Sequence, residues 1–352
     1  MHIHGARGEK TMEKILHHFF EFDSLEEVLP FGHGHINDTF KISLRQNNRS
    51  YTYLLQRFND KVFKQPFAVM DNIGLVAEHL SKKNYPLFIL KPFKTKKGEL
   101  IYHDEKEGYW RVFNFFENTF SYNKVETPEQ AFQAAKAYGT FAKALNDMDI
   151  SQLKTTIPDF HNGEKRMANF LLATKNGLPE RISATKKEIQ FIFEQAYLFK
   201  KINNLKLSLR AVHHDTKINN ILFDETTKKA VAVVDLDTVM PGTVLSDFGD
   251  MVRTFTSAFD EDEQDFSKVN MRPDIYHALT DGFISEMGDH LTAAEKKHLS
   301  DAGPWLTLMQ AVRFLGDYLM GDIYYKTKYA DHNLVRTRNQ LALFRSMQDQ
   351  LG

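Results

Sequence analysis

The sequence predicts an α+β protein of two unequal lobes, a small front lobe built on an antiparallel sheet and a larger, mainly helical rear lobe. Three observations predict it. Short runs rich in aromatic and β-branched residues recur up to about residue 116, helical periodicity dominates beyond, and a polar loop with strand-like flanks interrupts the helices between residues 211 and 242. The boundary is read as lobes 1–117 and 118–352, joined by a short crossing without a low-complexity tether.

In the front lobe EEVLPF, TFKISL and SYTYLLQRF form a meander, with the turn QNNR before the last run. PFAVMDNIGLVAEHLSKK carries apolar residues at helical spacing, and Pro66 suits a first turn, where its missing N–H is not needed. PLFILKPF, ELIYHD and GYWRVFNFF return to strand chemistry, so the lobe reads as a sheet with one helix. Residues up to about Met12 read as a start-site extension or cloning remnant, with His2 and His4 as passengers. In the rear lobe PEQAFQAAKAYGTFAKALNDMD, KKEIQFIFEQAYLFKKINN and the stretch from Ala293 onward are helical in period and composition.

Composition removes whole classes of function. Lysine and arginine total 45 against 46 acidic residues, so no global field draws the chain to nucleic acid or an anionic membrane. The absence of cysteine excludes disulfides, thiolate zinc sites and thiol nucleophiles, and fits a reducing compartment. With no secretory signal and no run of membrane-spanning length, the expectation is a cytoplasmic monomer or small homo-oligomer whose partners are small molecules.

The polar loop carries the chemistry. His213, Asp215 and Asn220 stand in the spacing H-x-D-x-x-x-x-N, followed by the apolar run Ile221, Leu222, Phe223. Phosphoryl transfer of the protein-kinase type needs one carboxylate to take the proton of the attacking hydroxyl and one amide oxygen on magnesium, roles that suit Asp215 and Asn220. It needs a further carboxylate at a strand end for the metal that bridges the phosphates, and AVAVVDLD delivers Asp235 there. A literal D-F-G at Asp247 follows the turn-forming Met240, Pro241 and Gly242 and reads as a helix start. Asp247 is therefore expected to cap or brace the loop rather than bind metal. His213 is read as a structural histidine. Asp237, two residues past Asp235, is assigned to substrate, with a second magnesium or a hydrogen-bonded support as its other readings.

Gly32 and Gly34 lie in the turn between the first two strands, where backbone amides can approach phosphates; Asn37 replaces a third glycine. No G-x-x-x-x-G-K-[ST] occurs, which excludes a Walker-type loop. The third strand lacks its usual lysine and offers Gln56, with Arg57 beside it, toward the phosphates. Glu78 is the helix carboxylate that would pair with such a cation, or else a solvated helix residue.

These residues resemble the aminoglycoside phosphotransferase and choline kinase superfamily, whose signature is H-x-D-x-x-x-x-N followed by a strand-end aspartate. Within it the chain is most similar to the bacterial N-acetylhexosamine 1-kinases. That likeness rests on GHGHINDTF, on YLLQRFN, on HHDTKINNILFD with VVDLDTVMPGTVLSDFGD, and on RFLGDYLMGDIYY, spread from about residue 31 to 340. The resemblance implies a two-lobed protein-kinase-like fold, ATP and Mg2+ as cofactors, an anomeric hydroxyl as acceptor and a sugar 1-phosphate as product. It also implies that Asp38 and Arg313 touch the sugar and that adenine sits on the linking segment, at Phe115, Phe116 and Glu117. The nearest alternative is a kinase for choline, homoserine, methylthioribose or an aminoglycoside; a cleft lined by carboxylates without Arg313 would favour the cationic acceptors. From other classes come a metal-dependent phosphohydrolase using His213, Asp215, Asp235 and Asp237, and a nucleotide-binding pseudokinase suggested by the missing lysine.

Overall fold

The computed structural model describes residues 6–32 and 36–351. Its front half is a five-stranded antiparallel sheet in the order β1-β2-β3-β5-β4, with β1 Ser24–Pro30, β2 Asp38–Gln46, β3 Arg49–Phe58, β4 Tyr102–Asp104 and β5 Gly108–Asn114. The turn between β2 and β3 is made by Asn47 and Asn48, both at positive φ, which asparagine tolerates and a tight hairpin requires.

Two helices, not one, clothe this sheet. Helix α1, Ala6–Leu16, buries Met12, Ile15 and Leu16 against Phe40, Ile42, Leu44, Tyr53, Leu55, Trp110 and Val112. The end of the segment read as a leader thus joins the core through Met12, which with Ile15 and Leu16 falls at helical spacing on one stripe that the surrounding charges mask. Helix α2, Pro66–Ser81, begins with Pro66 as expected and covers the opposite face, which carries Phe58 and Phe113. PLFILKPF is not a strand: it runs extended between the halves, bridging Phe88 to Ala232 and Pro92 to Phe113, and Pro86 and Pro92 lack the donors a continuous ladder needs.

Behind the sheet lie the helices α3 Pro128–Ala144, α4 Gly163–Asn176, α5 Pro179–Ala184, α6 Lys186–Gln195, α7 Tyr197–Asn204, α8 Val244–Thr256, α9 Pro273–Met287, α10 Ala293–Lys297, α11 Leu299–Leu319 and α12 His332–Leu351. Thr127 and Gln130 close a capping box at the start of α3, with Pro128 in the first turn. Helix α3 packs tightly on α9, since a side chain at Gly139 or Gly282 would strike the backbone of Phe283 or Phe132. Among the helices run β6 Thr119–Phe120, β7 Arg210–Val212, β8 Ile221–Asp224, β9 Ala230–Val233 and β10 Met240–Gly242, pairing as β6-β8-β9 and β10-β7. Met240 to Gly242, read as a turn, form the short strand β10 instead, where a Cβ at Gly242 would fall on the His214 ring. No helix among the described residues is long and apolar enough to cross a membrane.

Because Leu16 is fully buried against the sheet, Leu16→Ala is expected to lower unfolding stability by about 2–5 kcal/mol, measured by denaturant titration. A loss of a few tenths would show that α1 is dispensable.

Candidate active site

The polar loop is fixed by backbone contacts on two sides. Asp247, in the first turn of α8, accepts the backbone N–H of His213 at 2.9 Å and of His214 at 2.7 Å, while its carbonyl accepts the Thr216 hydroxyl at 2.7 Å. Burial pushes its carboxyl up to about 6, against the opposing pull of His213 and the two backbone donors. The carboxylate of the D-F-G motif is therefore engaged by the loop's own main chain.

On the other side the Val234 N–H donates to the Asn220 carbonyl at 2.9 Å, and the Val234 carbonyl accepts His213 Nε2 at 3.0 Å. His213 Nδ1 accepts the Asp215 N–H at 3.3 Å, so one buried ring links strand end and loop. Asp235, the next residue after Val234, is thereby set beside Asp215 and Asn220. It adopts φ 58 and ψ 59, a left-handed conformation uncommon outside glycine and found at functional turns.

Asn220 Nδ2 donates to the Asp215 carbonyl at 2.9 Å and to its Oδ2 at 3.2 Å, leaving Oδ1 without a donor among the described residues. Lys217 Nζ lies 2.9 Å from Asp215 Oδ1. Burial alone would raise Asp215, but the charge and hydrogen bond of Lys217, then the charges of His213 and Arg253, outweigh it and hold the group below the usual range. Asp235 behaves in the opposite way. Burial, then the carboxylates of Asp237 and Asp215, push it up to about 7, a rise tempered by the water that reaches this exposed side chain. Among the described residues its carboxylate meets no donor and no cation. A carboxylate short of positive charge beside a free amide oxygen fits a hard divalent cation, whereas no three His, Asp or Glu side chains among the described residues form a closed cage.

The front lobe supplies its cation from an unexpected strand. Gln56 donates to Thr39 Oγ1 at 3.0 Å and accepts Arg111 Nε at 2.9 Å, so its amide is engaged within the sheet. Arg57 points to the other face and donates to the Glu107 carbonyl at 2.9 Å. Arg111, the register partner of Gln56 on β5, meets Asp237 in a fork of 2.6 and 2.9 Å, and Asn37 Nδ2 reaches the same carboxylate at 2.9 Å. The Asp237 carboxylate is thus held by three protein donors and is not open to substrate, contrary to its assignment from the sequence. Glu78 does not join this network: it is exposed and pairs with Lys82 at 2.5 Å.

Gly32 is exposed with φ 77, and Gly34 lies outside the described residues. Phe115 meets Phe31 edge-to-face at 5.1 Å under the Lys41 ammonium, which lies 3.9 Å from the exposed Glu117. Phe116 turns the other way and stacks on Phe88. Asp38 is exposed at the start of β2, in register with Arg57 on the face away from Gln56 and Arg111.

Arg313, on α11, is half-buried and donates to Gln310 at 2.9 Å. Its guanidinium sits 5.5 Å from the Phe160 ring and 5.6 Å from that of Tyr325, and Phe160 continues through His161 to His214, next to Asp215. Asp317 is not its partner: it accepts the N–H groups of Ile323, Tyr324 and Tyr325 instead. Arg166 adds a second cation, with Nη2 on the Phe160 carbonyl and a buried Nε without a partner. Burial and then the Arg313 charge pull Arg166 below its usual range. Among the nearby carboxylates Asp215 meets Lys217, Asp250 and Glu261 share Arg253, and Asp159 acts on Arg166.

Sequence reasoning gave Arg111, Lys217 and Asn37 no site role. Arg111 had a readable signal, as the sole charge in the strand GYWRVFN.

This fold and site define a small-molecule phosphotransferase of the kinase-like type. The chain belongs to the phosphotransferase enzyme family, whose model matches residues 27–268, more than half its length. Its fold is shared with solved kinases across nearly their whole lengths. An aminoglycoside phosphotransferase from Alicyclobacillus acidocaldarius aligns with TM-score 0.62 at 11% identity, covering 94% of each chain. A microcompartment-associated aminopropanol kinase aligns with TM-score 0.60 at 13% identity, covering 97% of this chain and 98% of that one. A spectinomycin phosphotransferase, solved with ADP and spectinomycin, aligns with TM-score 0.60 at 12% identity, covering 96% and 98%. At these identities the likeness is one of fold.

Asp247→Asn keeps one acceptor where two backbone donors converge, and is expected to cost about 1–3 kcal/mol in denaturant titration. Since the folded carboxyl titrates near 6, above its unfolded value, it favours the folded state most at low pH. The wild-type advantage over the variant should shrink as pH rises from about 4 to about 6. An advantage that grows over that window would contradict a raised value.

Proposed function

We propose that the protein is an ATP- and magnesium-dependent kinase that phosphorylates the anomeric hydroxyl of N-acetylhexosamines, GlcNAc or GalNAc, in the cleft between lobes 1–117 and 118–352. The observation that carries the acceptor is Arg313, whose guanidinium meets the Phe160 and Tyr325 rings and, among the described residues, has no carboxylate partner. A guanidinium without a matching carboxylate repels amino alcohols and aminoglycosides, and suits a neutral, polyhydroxylated ring that can accept its hydrogen bonds. Phe160 and Tyr325 offer aromatic faces for the apolar side of a sugar. The sequence likeness to N-acetylhexosamine 1-kinases supports the same acceptor.

In this reading Asp215 takes the proton of the anomeric hydroxyl as its oxygen bonds the γ-phosphorus and the bond to the ADP oxygen breaks. A carboxylate held below its usual range is a weak base, which is sufficient where proton transfer comes late in a loose transition state and the hydroxyl is more acidic than an ordinary alcohol. Lys217 orients Asp215 and places a positive charge beside the transferred group. Asn220 Oδ1 and Asp235 would hold magnesium, which supplies charge neutralisation on the phosphates. Phe31 and Phe115 form an apolar edge for adenine, and the solved relative with ADP supports a purine nucleotide as the donor.

Turnover coupled to ADP release, run across free hexosamines, hexoses and amino alcohols with analysis for phosphate on the anomeric carbon, tests the acceptor. N-acetylhexosamines should react and choline and ethanolamine should not; the reverse order would remove the sugar reading. Asp215→Asn should lower kcat by about 10²–10⁴ while nucleotide-dependent thermal stabilisation persists. Full activity in that variant would remove Asp215 as base.

A further inference from the structure

We propose that Arg111 and Asp237 form a latch between the sheet lobe and the metal turn, and that this pair positions both Asp235 and Asn37 at the entry to β2. The proposal rests on the ATP- and magnesium-dependent reading above.

The geometry of the pair is that of an orienting device. The two residues are 126 positions apart, their side chains are 2% and 3% exposed, and the guanidinium meets the carboxylate through two parallel bonds. Arg111 has little freedom of its own, because its guanidinium lies between the rings of Phe58 and Phe113 while Nε is bonded to Gln56. Buried away from the cleft and fully engaged, it does not serve as a phosphate ligand in this arrangement. The cation that would otherwise face the nucleotide faces the protein.

Asp237 passes this rigidity in two directions. Toward the front lobe, Asn37 donates to it at 2.9 Å and accepts the Asn59 N–H at 2.9 Å, which ties residues just after the glycine turn to the end of β3. Toward the metal turn, Asp237 stands two residues beyond Asp235 within a short 3₁₀ turn. That turn is also held by Thr238 on the His213 carbonyl at 2.6 Å and by Asn72 of α2 on the Val239 carbonyl at 2.9 Å. The left-handed conformation of Asp235 therefore has supports from both lobes. A buried ion pair is a poor device for stability, since desolvation offsets its attraction, but it fixes direction well. Partners of this kind typically govern metal affinity through the ligands they orient.

Removing one member alone would strand a buried charge and risk misfolding, so the decisive variant removes both, Arg111→Met with Asp237→Leu. Calorimetric titration of the full chain with Mg·ADP and with ADP in excess chelator is read beside hydrogen exchange over residues 28–41. The expected result is Mg·ADP binding weakened about 10–100-fold, metal-free ADP binding nearly unchanged, and faster exchange in that segment. Arg111→Lys should fall between, because an ammonium lacks the fork. Asn37→Ala, which leaves the pair intact, should speed exchange over residues 28–41 with a smaller change in Mg·ADP binding. A double variant that folds and binds Mg·ADP at wild-type strength with unaltered exchange would overturn the latch. If the double variant does not fold, wild-type exchange in Asn37→Ala would overturn it instead. A wild-type protein indifferent to magnesium would remove the metal reading, and the latch with it, which is a separate and recognisable failure.

Discussion

One buried carboxylate receiving two consecutive backbone amides sets the path of the catalytic loop. Asp247 holds His213 and His214 by their main chain, and the His213 ring, Asn220 and Lys217 then hold Asp215. His214 takes a positive φ of 66° under that constraint, and Gly242 leaves the space its ring then needs. The loop in turn fixes the strand end through Val234, and the strand end fixes Asp235.

The charge distribution divides the cleft. Around Asp235 the carboxylates of Asp237 and Asp215 gather, and among the described residues no cation meets its own carboxylate. Around Arg313 and Arg166 cations and carboxylates are mixed, with Asp250 and Glu261 sharing Arg253 and Asp159 acting on Arg166. Asp215 stands between these regions, with Lys217 as its direct partner.

What was legible in the sequence was local. H-x-D-x-x-x-x-N lies within eight residues, and its flanking apolar runs fix strand ends within another fifteen, so spacing alone places Asp215, Asn220 and Asp235. The preference for Asp235 over the D-F-G motif followed from strand context, and the backbone donors on Asp247 give that preference its physical reason. What was not legible depends on pairing across long separations. Gln56 and Arg57 could be proposed as the front-lobe cation site, but only the register of β3 against β5 reveals that Arg111 occupies the facing position. Helix α1 escaped because three apolar residues among many charged ones give a weak stripe until a sheet face is present to receive it.

Asp317 takes on a wider meaning in this light. Its carboxylate gathers three successive main-chain amides, those of residues 323 to 325, and Asn333 adds a fourth donor. The loop is therefore shaped without reference to which side chains it bears, and Ile323 and Tyr324, 78% and 68% exposed, contribute little to packing. Substitutions at those two positions can therefore change the exposed surface of this loop while the loop keeps its course.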